Sequence, residues 1–366
     1  MRNLGKLAVL GITALGLALA GPQDNSLVIG ASQEPRVLAG DFLSVISNQA
    51  IKSEIEQYLF APFIGFNADS QNFPVLATEV PTLENGRLRV TDIGGGKKRL
   101  EMDITIRPDA KWSDGRPITT EDVAFYFEVG KAKGMPVLNP DFWERVNVRI
   151  KDARNFTLIF EPAYYYDTYG PINTYAPKHI MGPEWERVKA AARGLDPQKD
   201  AEKLNELYRN FFIKFSTPQA LNRGAMVYSG PFMLRRWVPG NSIEMVRNPN
   251  FPIKPEGGES KYVQKVVYRF IQNTNSLLVA VIGGSIDATS SVSLTFDQGR
   301  SPQLVRRAPG RFDIWFVPGA IWEHIDINKF ENCQVVKDLG LNDKRTRQAI
   351  LHALNREGLV KAFFDG

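Results

Sequence analysis

The sequence predicts a mixed α/β fold of two lobes, with an antiparallel block inserted into the first lobe. Three observations carry that expectation. Strand and helix signals alternate near the start, in an apolar run at 27–31 followed by helical spacing through 42–60, and alternate again beyond Asp287. Between these ends the stretch 99–107 alternates strictly, with Leu100, Met102, Ile104 and Ile106 on one face and Arg99, Glu101, Asp103 and Thr105 on the other, the pattern of a half-buried antiparallel strand. The chain has 366 residues, 43% hydrophobic and 23% charged, which is long enough for more than one core and unlike a disordered or coiled-coil composition.

Residues 1–20 stand apart from the fold. Arg2 and Lys6 precede an apolar run that ends in Ala18-Leu19-Ala20 before Gly21, the layout of a cleavable secretory signal peptide. That run is short for a membrane span, so the mature chain is expected to be soluble and periplasmic or otherwise extracytoplasmic. The only cysteine, Cys333, is far from where an N-terminal lipid would attach, so no lipobox cysteine is expected. One cysteine with His179, His324 and His352 provides neither an internal disulfide nor a Cys/His metal spacing, and no cofactor is expected. Loss of Arg2 and Lys6 lowers the formal charge from +5 to +3, and the remaining bases are scattered among acids, which excludes a nucleic-acid track.

Element by element, the helix at 42–60 packs Ile46, Ile51, Ile55 and Leu59 on the first strand. Residues 87–91 pair with 99–107 through Gly94-Gly95-Gly96, a permissive turn that lacks the glycine-lysine-hydroxyl spacing of a phosphate loop. Thr119 and Asp122 cap a helix that buries Val123 and Phe127. Strands follow at 146–150 and 156–160, and then helical sequence at 184–215, broken near Gly194 and Pro197. Trp143 and Tyr164, Tyr165 and Tyr166 are expected to pack in the core or at its rim. A hairpin joins 231–237 to 242–246 through Pro239-Gly240-Asn241, a strand covers 263–271, and a helix at 274–282 ends at Gly283-Gly284. Strands at 312–317 and 322–328 and a helix at 344–354, capped by Asn342 or Asp343, complete the chain. Lobe I is thus placed at 21–285, its inserted mixed α+β subdomain at about 60–220, and the start of lobe II at 286–366.

Several segments resemble the extracytoplasmic solute-binding proteins of ABC importers that carry oligopeptides, dipeptides and nickel. They are Trp112-Ser113-Asp114-Gly115-Arg116-Pro117 with Ile118-Thr119-Thr120-Glu121-Asp122-Val123, Ser229-Gly230-Pro231-Phe232, Arg247-Asn248-Pro249-Asn250-Phe251, Gly284-Ser285-Ile286-Asp287, and Asp343-Lys344-Arg345-Thr346-Arg347. The resemblance implies a type II periplasmic-binding-protein clamshell and a monomer that encloses a peptide and delivers it to the transmembrane subunits of an ABC permease. An oligosaccharide or a chelated metal is the alternative cargo. A secreted hydrolase is the rival of a different class, against which stands the lack of a Gly-x-Ser-x-Gly elbow.

By the same resemblance, ligand contacts are expected from Gln33 and Glu34 after the first strand and from the Tyr228-Ser229-Gly230 crossing. The strand at 322–328 is expected to contribute too, where alternation sets Trp322, His324, Asp326 and Asn328 on one face. Members of that family run well past the helix at 344–354, so the second lobe reads as incomplete and as leaving apolar surface uncovered.

Overall fold

The apolar run Leu27-Val28-Ile29-Gly30-Ala31 lies in β1 (Ser26–Ala31), which is buried because it pairs in parallel on both sides. The structure is a computed structural model that describes residues 25–67, 69–164, 167, 175–254, 257, 262–316 and 325–364. The signal segment, Tyr165, Tyr166, Trp322 and His324 lie outside the described residues.

Helix α1 (Ala50–Leu59) buries Ile51, Ile55 and Leu59. It begins later than the periodicity predicts, because the buried Asp41 carboxylate accepts from the backbone amides of Ile46 and Ser47 and holds that stretch as a loop. A short hairpin, β2 (Ile64–Phe66) with β3 (Asn72–Pro74), opens a long excursion.

Four strands form its antiparallel sheet, β4 (Leu88–Gly94), β5 (Lys97–Thr105), β6 (Val146–Ile150) and β7 (Asn155–Phe160), in the order β4-β5-β7-β6. Leu100, Met102 and Ile104 bury on one face with Phe156, Leu158 and Phe160. The other face carries cross-strand charges, Asp103 meeting Arg89 at 2.7 Å and Lys151 at 2.8 Å.

Helices cover this sheet. Between β5 and β6 run α2 (Thr120–Gly130), which starts in a capping box of Thr119 and Asp122, and α3 (Pro140–Arg145). After β7 come α4 (Lys178–Ala192), α5 (Ala201–Ser216) and α6 (Pro218–Asn222). The ring of Trp143 lies against Gly130, where any Cβ would strike it, so it packs as expected.

The chain then returns to the first sheet through β8 (Phe232–Val238), β9 (Ser242–Arg247) and β10 (Lys265–Phe270). It next forms α7 (Thr274–Ile282) and the short β11 (Ala288–Thr289). The sheet order is β11-β1-β10-β9-β8, with β11, β1 and β10 parallel and the other two pairings antiparallel.

The residues through Ser293 make one compact unit and those from Leu294 a second. The second holds α8 (Phe296–Gly299), α9 (Pro302–Arg307), α10 (Gln334–Asp338), α11 (Lys344–Ala353) and α12 (Arg356–Phe364). Asp343 caps α11 through the Arg345 amide, as expected. Two expected strands fail here: residues 312–316 and 325–328 are irregular among the described residues. Alternation makes a strand only where a neighbour completes the backbone hydrogen bonds, and among the described residues no ladder reaches either segment. Among the described residues of this unit only Leu304 and Val336 are buried apolar side chains, while Trp315, Phe316, Ile325 and Phe330 are exposed.

Candidate functional site

Parallel pairing aligns the C-terminal ends of β1 and β10, and the amide of Ile271 donates to the Ala31 carbonyl at 2.8 Å to seal them. Loops leaving this edge of a parallel sheet are where open α/β folds place their ligands. An open groove of about 600 Å³ lies here, lined by Ser32, Gln33, Glu34, Pro35, Arg36, Gln49 and Gln272.

The loop is held from three sides. Glu34 accepts from Trp237 Nε1 at 2.7 Å and from the Gly240 amide at 2.9 Å, so both of its oxygens bind the β8–β9 hairpin. Gln49 accepts from the Arg36 amide at 2.8 Å and donates to the Glu34 carbonyl. Ser32 Oγ donates to the Val292 carbonyl. The exposed side chains of Gln33, Arg36 and Gln272 make no hydrogen bond or ion pair among the described residues, and they form the free polar heads of a fixed frame. Two primary amides offer both donors and acceptors, which matches the N–H and C=O groups of a peptide backbone.

Tyr228 and Ser229 do not line this groove. Tyr228 and Ser229 are buried at 5% and 0% exposure and tie elements together. Ser229 Oγ accepts from the Ala61 amide and bonds the Tyr175 hydroxyl, while the backbone of Tyr228 exchanges hydrogen bonds with Ser113. Asp326 and Asn328 are exposed on the irregular segment of the second unit, and the Asn328 carboxamide accepts from the Phe330 amide. Sequence reasoning missed Arg36, Gln49 and Gln272. Gln272 was beyond its reach, because only the β1–β10 pairing brings a residue so distant in sequence beside Gln33.

A second cavity, of about 260 Å³, opens beside α1 between Phe42, Phe60, Tyr175 and Met226, with Glu56 in its wall. Behind it, Lys52 Nζ donates to the Asp41 carbonyl at 2.9 Å and stands 3.3 Å from Glu56 and 3.8 Å from the Asp41 carboxylate. Burial raises the pKa of Glu56 to about 7 against the pull of Lys52, and burial raises Asp41 as well. The folded state therefore binds more protons than the unfolded chain between the ordinary glutamate value and about 7, so stability falls as pH rises through that window. Glu56→Gln is expected to remove a loss on the order of 3 kcal/mol between about pH 4.5 and pH 8. Urea unfolding of both proteins across that range measures it, and parallel pH profiles would show that Glu56 titrates normally.

Among the described residues no three His, Cys, Asp or Glu side chains come together as a metal set, and no helix is long and apolar enough to cross a membrane.

Comparison with known proteins places these features. The family model "Bacterial extracellular solute-binding proteins, family 5 Middle" matches residues 97–366. The oligopeptide-binding protein AppA of Bacillus subtilis is 23% identical over 363 residues, covering 94% of this chain and 52% of its own. A probable ABC transporter-binding protein of Deinococcus radiodurans is 24% identical over 288 residues, covering 74% and 43%. The crystal structure of an oligopeptide-binding protein from Thermus thermophilus, complexed with a pentapeptide, is 98% identical. It matches with a TM-score of 0.91 over 95% of this chain and 58% of its own. This chain spans about half the length of the curated relatives it matches.

The periplasmic-binding-protein α/β fold read from the ordered segments is borne out by these matches. With the family model covering most of its length, the chain belongs to the bacterial extracellular solute-binding proteins of family 5.

Proposed function

We propose that this chain supplies part of the peptide-binding surface of an ABC importer's solute receptor, which acts by binding without chemistry and hands its cargo to a membrane permease. The observation that carries the reading is the groove after β1, where Gln33, on a loop fixed by Glu34 and Gln49, and Gln272, just beyond β10, present free amides. Such heads grip peptide backbone, so affinity depends little on side-chain sequence. The pentapeptide in the 98% identical Thermus protein supports the same cargo class. Residues 1–20 act, on this reading, as the export signal. Glu34 and the buried Tyr228 and Ser229 serve as positioning groups.

Calorimetric titration with penta-alanine tests the proposal. Gln33→Ala with Gln272→Ala is expected to weaken binding by about tenfold, roughly 1.4 kcal/mol, with no change in melting because both side chains are exposed. Undiminished affinity in the double variant would remove this groove from the site.

A further inference from the structure

We infer that the cavity beside α1 is a second binding site, one that takes a small organic cation such as an alkylguanidinium or alkylammonium group. It is lined by residues other than those of the groove after β1. At about 260 Å³ it has room for a group the size of a long side chain.

Charge is the first reason. Glu56 is the only charged side chain in the wall among the described residues, and it belongs to a cluster in which two carboxylates, Asp41 and Glu56, share one ammonium, Lys52. Lys52 is already committed to the Asp41 carbonyl at 2.9 Å and Ser44 Oγ at 3.3 Å while it faces Glu56 at 3.3 Å. Asp41 and Lys52 are buried behind the cavity, whereas the Glu56 side chain keeps one-fifth of its surface exposed. With all three ionised the cluster carries one uncompensated negative charge in a poorly solvated place, which a cation in the cavity would balance.

The walls supply the second reason. Phe42 and Phe60 present aromatic carbon, and Tyr175 turns its hydroxyl away to Ala61 and Ser229, so its ring is what the cavity meets. Aromatic faces hold organic cations, most strongly where water is excluded. The exposed amide of Gln57, one residue beyond Glu56, adds an acceptor. The titratable and charged groups facing Glu56 are Lys52 from its own helix, Asp41 from the preceding loop and Tyr175 from the segment before α4, whose own pKa burial raises. A proton now neutralises Glu56 near pH 7, so a bound cation would compete with that proton.

The probe is n-butylguanidinium, with neutral n-butylurea as its isostere, titrated into the protein by calorimetry at about pH 8 and about pH 5. Saturable binding of the cation alone at the higher pH, at least about tenfold weaker at the lower, is expected. Glu56→Gln should abolish it. Ser53→Trp, on the exposed side of α1 at the cavity mouth, should block it without disturbing the core, and this variant decides the matter if Glu56→Gln fails to fold. No saturation at millimolar cation, equal binding of the urea, or unchanged binding in the variants that fold would overturn the proposal. A second arm compares pentapeptides carrying arginine or citrulline. An arginine preference lost in Glu56→Gln identifies a peptide side chain as the occupant, and cation binding with no such preference identifies a free cation. Because the first arm uses no peptide, its result stands whether or not the groove after β1 binds one.

Discussion

Lys52→Met should destabilise the protein by about 3–5 kcal/mol at pH 8 and by much less at pH 5. Methionine keeps the buried apolar stem of this α1 residue, so the change isolates the charge. At the higher pH it leaves the Asp41 and Glu56 carboxylates facing each other with no cation, Asp41 being fully buried and Glu56 mostly so. Buried ion pairs contribute little over an apolar replacement of the whole set, but removing one partner strands the rest. Near pH 5 the raised pKa of Glu56 lets a proton take over the neutralising role, and the cost shrinks. Urea unfolding at the two pH values measures the difference. A small loss that is equal at both would mean that water already solvates the cluster.

The second large effect is expected at Gly230, where alanine should cost about 3 kcal/mol or more, or prevent folding. An added Cβ would lie 2.6 Å from the carbonyl carbon of Leu59 and the oxygen of Tyr58, and 2.7 Å from the amide nitrogen of Phe60. All three are backbone atoms at the end of α1, so no rotamer change relieves the clash. The crossing cannot back away either, since the Gly230 amide donates to the Leu59 carbonyl at 2.8 Å and Asn248 Nδ2 donates to the Gly230 carbonyl at 2.9 Å. Gly240→Ala is the informative control: that glycine has φ of 73° but open space around it, so only the backbone penalty of about 1 kcal/mol applies. Thermal melting should rank the two variants far apart. Similar melting points would show that the α1 end shifts to admit the methyl group.

These sites differ in how much of them the residues announced. The β4–β5 hairpin was legible because Leu100, Met102 and Ile104 alternate with charges and three glycines, Gly94 to Gly96, form its turn, so local periodicity and turn chemistry agree. Thr119 and Asp122 announced the start of α2 in the same way. Yet Asp122 does more than cap: it also accepts from Trp112 Nε1 and the Lys178 amide, which makes it a junction of three segments. In the second unit the alternation of 322–328 misled over its described part, 325–328, because no strand among the described residues pairs with it and its side chains are largely exposed.

In the loop after β1, Gln33 and Glu34 were singled out through resemblance, but their different surroundings were not legible. Glu34 faces a hairpin some two hundred residues away and spends its carboxylate there, leaving Gln33 exposed. Tyr228 and Ser229 belong to the same lesson, since their burial and their hydrogen bonds to Ser113 and Ala61 join segments far apart in sequence.

Periodicity, capping and turns within short spans of chain were enough for the α/β class, most elements of the first unit and the ordered segments that mark the family. Tertiary structure alone decided which polar groups stay free: the partners that satisfy Glu34, Ser229 and Lys52, and the neighbour that Gln272 becomes to Gln33, arise from pairings that one-dimensional patterns do not encode.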